Sequence, residues 1–384
     1  MDGPVIFGEM DRLLRDIVRR AVDSRASDIH IEPFEGKTLI RFRIDGHLME
    51  HRTLEPEIHP ALLLRLKILS GMAVDRSQLP QDGKWTWEEG ADVRDIRVSL
   101  IPFLRGEGAV LRILMGFATL PNLLTLGFDA GTAAALGATV RGPDGLLLLA
   151  GPTGCGKSTT IHCLLQGVND GTRKIIAVED PVEYTADGIQ SVPVNVARGL
   201  GFADALRAVL RQSPDVLFIG EIRDEETAAI AIQASLTGHF VCSTLHCRDF
   251  SGAIARLRQL NIPLHLIATT LRGILSQRLA RKLCNHCKLP RVTPHPMAHR
   301  FSIPENVQSF CAIGCNRCMG QGYFGQTVIY EWLSLQEPVQ PENFMATLRS
   351  KVAVTFAHCA RKKISVGEIS PEEAYLAGEG ITSF

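Results

Sequence analysis

The sequence lacks a long apolar run, a secretory signal and an excess of charge of either sign. Its most apolar short run, residues 146–150, is far below the roughly 18 residues that a membrane-spanning helix needs. The N-terminus, MDGPVIFGEMDRLLRD, has neither the basic start nor the continuous apolar stretch of a signal peptide. Basic and acidic residues number 41 each, so nothing indicates a polyanion-binding surface. We therefore expect a cytoplasmic protein without a membrane span.

The length of 384 residues exceeds what one hydrophobic core usually serves, so several domains are expected. Alternating polar and apolar residues predict strands near the N-terminus, with Asp-Gly hairpin turns at 45–46 and 82–83. Later, LLLLAG, KIIAVED, DVLFIGE and HFVCSTLH are short apolar runs separated by helical stretches, which is typical of a parallel sheet. The predicted divisions are an N-terminal α/β domain (1–115), a linker with a first helix (116–144), a core (145–280), a cysteine-bearing segment (281–325) and a mostly helical C-terminal region (326–384).

A glycine-rich loop carries the clearest chemistry. GPTGCGKS lies between the strand LLLLA and the helical stretch TTIHCLL, the context that a phosphate-binding loop requires. Its glycines let successive amides face a phosphate group, Lys157 should contact the β- and γ-phosphates of ATP, and Ser158 should hold Mg²⁺. Cys155 is either a small loop residue or, because amide dipoles lower the pKa of a thiol, a site of oxidative inhibition. The predicted ATP-binding residues are Gly151, Pro152, Thr153, Gly154, Cys155, Gly156, Lys157, Ser158 and Thr159.

Three later segments place titratable residues where predicted strands end. VEDPVEY contains Glu179 and Glu183, at a position suited to a base that activates water. LFIGEIRD ends in Glu221, placed to reach Mg²⁺, but has Gly220 where an aspartate is usual. TGHFVCSTLH ends in His246. Alone, an acidic strand end is more often a solvated loop and such a histidine is more often structural, and only the series as a whole points to a catalytic site.

Two Cys-x-x-Cys pairs predict a structural zinc site, because two such turns bring four thiolates to one tetrahedral point. The predicted ligands are Cys284, Cys287, Cys315 and Cys318; the substitutes for a missing ligand are His286, His295, His299 and Cys311. A redox dithiol is the alternative. The neighbouring cations are Arg278, Arg281, Lys282, Lys288 and Arg291. Because the chain is neutral overall, we expect them to contact a subunit or a membrane protein and not nucleic acid.

The ordered series GPTGCGKST, VEDPVEY, GEIRD and TGHFVCSTLH resembles the Walker A, Asp box, Walker B and His box of the type II secretion and type IV pilus traffic ATPases. ASDIHIEP, QDGK, RVS, VLRIL, IARLRQLNIP, SQRLARKLC and IYEWL extend the resemblance over nearly the whole chain. It implies a PAS-like N-terminal domain and a RecA-like P-loop NTPase core with a zinc-knuckle subdomain and a helical tail. It also implies a homo-hexameric motor that uses ATP, Mg²⁺ and Zn²⁺ and pushes an inner-membrane platform protein from the cytoplasmic face.

The resemblance also implies roles for individual residues. Glu179 is the first choice of general base, Glu183 its neighbour, Glu221 a residue near Mg²⁺ and His246 a contact of the γ-phosphate. The matching arginines, expected to neutralise the transferred phosphoryl group, are Arg97, Arg112, Arg207, Arg211 and Arg223.

Several departures from the family pattern leave other readings open. The sequence begins too late for the additional docking domain of many secretion ATPases, and Asp204 replaces a basic residue. The alternatives are a retraction motor of the same fold, which typically lacks the zinc cysteines, a weakly hydrolytic regulatory scaffold, and a nucleic-acid-translocating ATPase.

Overall fold

The computed structural model describes residues 3–90, 92–114, 121–293, 308–335 and 337–379, with Met297, His299 and Phe301. The chain divides into two compact units, Met1–Ala118 and Thr119–Phe384. The finer domain boundaries given above remain predictions.

The N-terminal unit consists of two helices and a six-stranded antiparallel sheet. Its elements are α1 (Gly3–Asp23), β1 (Ala26–Phe34), β2 (Lys37–Ile44), β3 (His47–Leu54), α2 (Ile58–Leu69), β4 (Gln81–Glu89), β5 (Asp92–Phe103) and β6 (Gly106–Ile113). The strand order is β3-β2-β1-β6-β5-β4. Alternate residues such as Ile29 and Ile31 are buried with Leu14 and Leu62 of the helices, because successive side chains of a strand point to opposite faces.

Of the two Asp-Gly turns predicted in this unit, one is confirmed and one is wrong. Asp45 and Gly46 connect β2 to β3 with φ angles of 49° and 85°, as a hairpin turn of this type requires. Asp82 and Gly83 instead lie inside β4. A Cβ at Gly83 would lie 2.4 Å from the carbonyl oxygen of Ser70, so this glycine permits a close approach of two backbone segments.

The C-terminal unit alternates helices and strands. Its elements are α3 (Leu123–Leu126), α4 (Ala130–Val140), β7 (Gly145–Ala150), α5 (Lys157–Val168), β8 (Ile175–Glu179), β9 (Ile189–Pro193), α6 (Phe202–Leu210), β10 (Val216–Ile219), α7 (Glu225–Leu236), β11 (Phe240–Leu245), α8 (Phe250–Gln259), α9 (Leu264–Thr270), β12 (Leu271–Leu283), β13 (Leu289–Val292), β14 (Gln308–Cys311), β15 (Tyr323–Ser334), α10 (Phe344–Ser350), β16 (Val352–Val354), α11 (Phe356–Ser365) and α12 (Pro371–Ala377).

Eight of these strands form one sheet in the order β16-β15-β12-β7-β11-β10-β8-β9. The pairs from β12 to β9 are parallel, and the two pairs that involve β15 are antiparallel. Strand β7 is buried on both faces: Leu146 and Leu148 belong to one hydrophobic cluster, and Leu147 and Leu149 to the other. The predicted fold class, a small α/β domain and a core with a largely parallel sheet, is confirmed.

The cysteine segment lies between two neighbouring strands of this sheet, since β12 ends at Leu283 and its antiparallel partner β15 begins at Tyr323. The predicted helical C-terminal region starts differently from the prediction. Its residues up to Ser334 continue β15, and the helices follow from Phe344. The buried apolar run VIYEWL suits a strand or a buried helix equally well, so periodicity alone does not separate them.

Candidate nucleotide site and cysteine cluster

The loop that follows β7 has the backbone conformation that its glycines predict. Gly154 and Gly156 have φ angles of 75° and 84°, in the left-handed region that favours glycine. At Gly151 a Cβ would lie 2.4 Å from Cys155 Sγ and 2.7 Å from the carbonyl oxygen of Gln277. The loop therefore needs glycine at all three positions, and α5 begins immediately after it.

Lys157 is the first residue of α5, and its side chain reaches back to the start of the loop. Its Nζ donates to the carbonyl oxygens of Gly151 at 2.7 Å and Pro152 at 2.9 Å. Burial lowers the pKa of the ammonium group and Arg278 adds to the lowering, while nearby groups including Glu221 oppose it. The ammonium is thus a partly desolvated cation, and a phosphate group beside it would be attracted more strongly than in water.

Two residues in the middle of β12, Gln277 and Arg278, lie next to the phosphate loop, and the sequence analysis gave neither a role there. Gln277 Nε2 donates to the carbonyl oxygen of Cys155 at 2.7 Å. The guanidinium of Arg278 donates to the carbonyl oxygens of Gln277 at 2.9 Å and Arg248 at 2.8 Å. The available signal was a polar pair, Gln277 and Arg278, in the strand that pairs with β7.

Cys155 does not have the activated thiol that the loop amides predicted. Burial raises its pKa, and the charges of Lys157 and Arg278 offset only part of the increase. Because the thiolate is the reactive form, this thiol is better described as a small buried residue of the loop.

The predicted general base, Glu179, is not exposed to solvent. It is the last residue of β8, only 3% of its surface is accessible, and its Oε2 lies 3.0 Å from Nε2 of the equally buried His162. Glu183, in the segment that follows, is exposed. The sequence analysis gave His162 no role, although it is the only histidine on the largely apolar helix α5.

Gly220 has no side chain, and this leaves room for Glu179 beside it. A Cβ at this position would lie 3.2 Å from the carbonyl oxygen of Val178, 3.4 Å from Cα of Glu179 and 3.7 Å from its Cγ. An aspartate would place its side chain against this buried carboxylate. Glycine at this position therefore suits the close packing of the residue after β10 against the end of β8.

Glu221, His246 and Arg223 lie together at the carboxyl ends of β10 and β11. Glu221 forms an ion pair with Arg223, and its Oε2 lies 3.3 Å from Nε2 of His246. Burial lowers the pKa of His246 and the charge of Lys157 adds to the lowering, while Glu221 opposes it. The imidazole of His246 and the carboxylate of Glu221 therefore face the same region as Lys157.

The other predicted arginines are not part of this group of Glu221, His246 and Arg223. Arg207 and Arg211 are exposed on and just after α6, where Arg207 forms an ion pair with Glu226 of α7. Arg97 and Arg112 belong to the N-terminal unit and face each other across β5 and β6. Nε of Arg112 also lies 2.9 Å from Oδ1 of Asp28.

The four predicted cysteine ligands converge. Their sulfur atoms all lie within 4.8 Å of one another, with separations of 3.9 Å for Cys284 and Cys315, 3.8 Å for Cys287 and Cys318, and 3.7 Å for Cys315 and Cys318. A tetrahedral zinc ion with Zn–S bonds of about 2.3 Å separates its sulfur ligands by about 3.8 Å. The four thiols therefore fit zinc.

Among the described residues, none of those predicted as substitute ligands belongs to the cluster of four sulfur atoms. Nε2 of His286 accepts a hydrogen bond from Arg317 at 2.6 Å, and Sγ of Cys311 lies 3.5 Å from the carbonyl oxygen of Leu289. His299 is exposed, and His295 lies outside the described residues.

Most of the basic residues around the cysteines have partners within the unit. Arg281 pairs with Glu373 and Arg291 with Glu372, and Nζ of Lys288 donates to the carbonyl oxygen of Gly367 at 2.7 Å. These contacts fix the start of α12 and the turn before it against the cysteine segment.

Among the described residues, no helix is both long and apolar enough to span a bilayer.

Comparison with known proteins gives a family and several relatives. Residues 6–375 match the family described as Type II/IV secretion system protein. The type II secretion system protein E of Dickeya dadantii (strain 3937) is 41% identical over 339 residues, which are 88% of this chain and 67% of the relative. The type IV pilus assembly ATPase PilB of Thermus thermophilus is 38% identical over 377 residues, 97% of this chain but only 42% of the relative. The crystal structure of the pilus retraction motor PilT with bound ADP superposes with a TM-score of 0.62 at 25% identity, covering 96% of this chain and 97% of that one.

Proposed function

Because the chain belongs to the Type II/IV secretion system protein family, we propose that it is a hexameric ATPase motor that drives pilus or pseudopilus assembly in type II secretion or a type IV pilus-like system. The predicted family is confirmed, and its relatives include an assembly ATPase. The observation that best supports ATP hydrolysis is that Lys157, Glu221 and His246 meet at the carboxyl edge of a parallel sheet, where such folds bind ligands.

The residues of the loop suit a triphosphate with Mg²⁺. The loop amides and Lys157 would bind the phosphate oxygens, and the hydroxyl of Ser158, in the first turn of α5, would hold Mg²⁺ with help from Glu221. A metal ion held by these residues would supply positive charge that offsets the negative charge of the triphosphate. His246 would lie beside the γ-phosphate, and Arg223 would keep Glu221 oriented.

Glu183 suits the role of general base better than Glu179. A base must reach the attacking water within hydrogen-bonding distance, and the carboxylate of Glu179 is enclosed and bonded to His162. Glu183 is exposed and lies four positions further along the same segment. Glu183→Gln should lower turnover by roughly 10²- to 10⁴-fold while ATP binding persists. A similar loss in Glu179→Gln alone would reassign the role.

The remaining arginines suit contacts that a single chain does not make. Arg207 and Arg211 are exposed at a helix surface, and Arg97 and Arg112 form a basic pair on neighbouring strands. In a homo-hexamer such groups would neutralise the developing charge on a nucleotide at a subunit boundary. Alanine at each position should then reduce turnover only in assembled material.

The four cysteines would hold one structural Zn²⁺ that ties the segment between β12 and β15. A closed set of four thiolates leaves no position for a substrate, so zinc would contribute stability and not chemistry. The ring would act at the cytoplasmic face of the inner membrane on a platform protein, and no nucleic acid would be bound.

The first experiment compares wild type with Lys157→Ala, and with Lys351→Ala as an exposed control of the same unit. ATP turnover, oligomer size and zinc content are measured on the same samples. We expect a hexamer with bound zinc and a loss of at least about 100-fold in turnover for Lys157→Ala only. ATP binding without turnover in wild type, unaffected by Glu183→Gln, would select the regulatory scaffold.

A retraction motor is the second candidate, because the PilT structure covers nearly the whole chain. The two functions differ in the phenotype of a deletion. Loss of an assembly motor removes the filament, whereas loss of a retraction motor leaves extra filaments.

A further inference from the structure

A buried polar network joins the phosphate-loop helix to the segment that carries Glu183. Nε2 of His162 on α5 lies 3.0 Å from Oε2 of Glu179, and the hydroxyl groups of Thr159 and Tyr184 lie 2.9 Å apart. The rings of His162 and Tyr184 are 5.1 Å apart at an interplanar angle of 48°. None of these contacts has a role in the chemistry described above.

The network holds the segment at both ends. Thr159 and His162 are three positions apart on α5, so their side chains lie on the same helix face. Their partners, Glu179 and Tyr184, are the residues that bracket the exposed segment 180–183. Glu183 directly precedes Tyr184, so the anchor on Thr159 fixes its distance from the first turn of α5.

The imidazole at the centre of the network is itself held in place. The ring of Phe218, on β10, meets the His162 ring edge-on at 5.4 Å and 89°. His162 is 1% exposed, so it has little freedom to turn away from Glu179. The network is therefore a rigid connection between α5, β8 and the segment after β8.

Stability does not account for these residues. Within the described part of the chain, Nδ1 of His162 and Oε1 of Glu179 are buried without a hydrogen-bond partner, and burying such atoms is unfavourable because they lose their hydrogen bonds to water. An apolar pair of similar volume would fill the space without this cost. The polar pair therefore serves a purpose other than packing.

We propose that His162, Glu179 and Tyr184 are positioning residues that set Glu183 relative to the phosphate loop. The proposal rests on the ATPase function and on Glu183 as its base. A displacement of about 1 Å in a positioned group can slow a reaction by about 100-fold. Losing the network should therefore lower kcat, while KM for ATP, which depends on the loop and Lys157, changes little.

The experiment compares His162→Leu, which removes the donor, with His162→Gln, whose amide nitrogen replaces Nε2. We expect kcat to fall about 10- to 100-fold in His162→Leu and to recover to within about 3-fold of wild type in His162→Gln, with KM within about 2-fold throughout. Ile161→Val is the matched control, because Ile161 is a buried apolar neighbour on the same helix. It should lower thermal stability slightly and leave kcat unchanged.

A double-mutant cycle tests whether the contacts act together. Tyr184→Phe removes the hydroxyl that meets Thr159, and its effect on kcat should be strongly non-additive with that of His162→Leu. Wild-type kcat in folded His162→Leu, or no recovery in His162→Gln, would overturn the proposal while ATP hydrolysis by the wild type stands. Absence of hydrolysis by the wild type would instead refute the proposed function.

Discussion

The buried ion pair between Lys67 and Glu107 gives the sharpest stability prediction for the N-terminal unit. Nζ of Lys67 lies 2.8 Å from Oε2 of Glu107, and the two side chains are only 3% and 13% exposed. Removing one partner of such a pair leaves an uncompensated buried charge, which costs about 3–5 kcal/mol. Lys67→Met keeps the shape of the side chain and should destabilise the unit by about 3 kcal/mol.

Native-state hydrogen exchange of peptides from α2 and β4 measures this loss within the N-terminal unit alone. A change of about 3 kcal/mol should lower amide protection by roughly 150-fold. Lys84→Met is the control: the pair of Lys84 with Asp95 is equally short at 2.7 Å but 62% and 38% exposed, so its loss should cost at most about 1 kcal/mol. The double variant Lys67→Met/Glu107→Gln should regain most of the protection. A double variant less stable than Lys67→Met would refute the reasoning, as would equal effects at the two pairs.

Three further predictions concern the C-terminal unit. Cys315→Ser should lower bound zinc and the resistance to thermal unfolding, because zinc loses one of four ligands, whereas Cys311→Ser, outside the cluster, should keep the wild-type zinc content in metal analysis. Because the folded pKa of His246 lies below its ordinary value of 6.5, the unfolded chain takes up the proton first, so folding stability should fall as pH drops below 6.5. Denaturant unfolding of His246→Gln should show a smaller loss over that window, and an identical pH profile would contradict this. Gly220→Ala should cost roughly 1–3 kcal/mol by crowding β8, whereas Gly167→Ala, in open space on α5, should be neutral or slightly stabilising in the same unfolding assay.

The phosphate loop and the cysteine cluster were predictable because their chemistry depends on local spacing. The three glycines, Lys157 and Ser158 are consecutive or nearly so, and the required strand and helix flank them directly. The cysteine pairs likewise form two tight turns, although the sequence did not show that β12 and β15 bring those turns together. Motifs whose residues are close together in the sequence can therefore be identified without knowledge of the tertiary contacts.

The roles of the two glutamates could not be separated from the sequence. Both belong to VEDPVEY at a strand end, and nothing in the segment says which one is enclosed. Burial of Glu179 depends on His162, 17 positions earlier, and on the absence of a side chain at Gly220, the residue after β10. Such three-way packing between β8, α5 and β10 is a property of the folded unit.

The departures at Gly220 and Cys155 each lie in a tightly packed part of the unit. Gly220 accommodates the buried Glu179, and Cys155 is 4% exposed against the loop glycine Gly151. With no carboxylate at position 220, the acidic charge at the end of β10 is carried by Glu221, which remains close to His246 and within the electrostatic influence of Lys157. Glu221, two positions beyond the end of β10, thus supplies the carboxylate that would help to hold Mg²⁺, and the missing aspartate does not argue against hydrolysis.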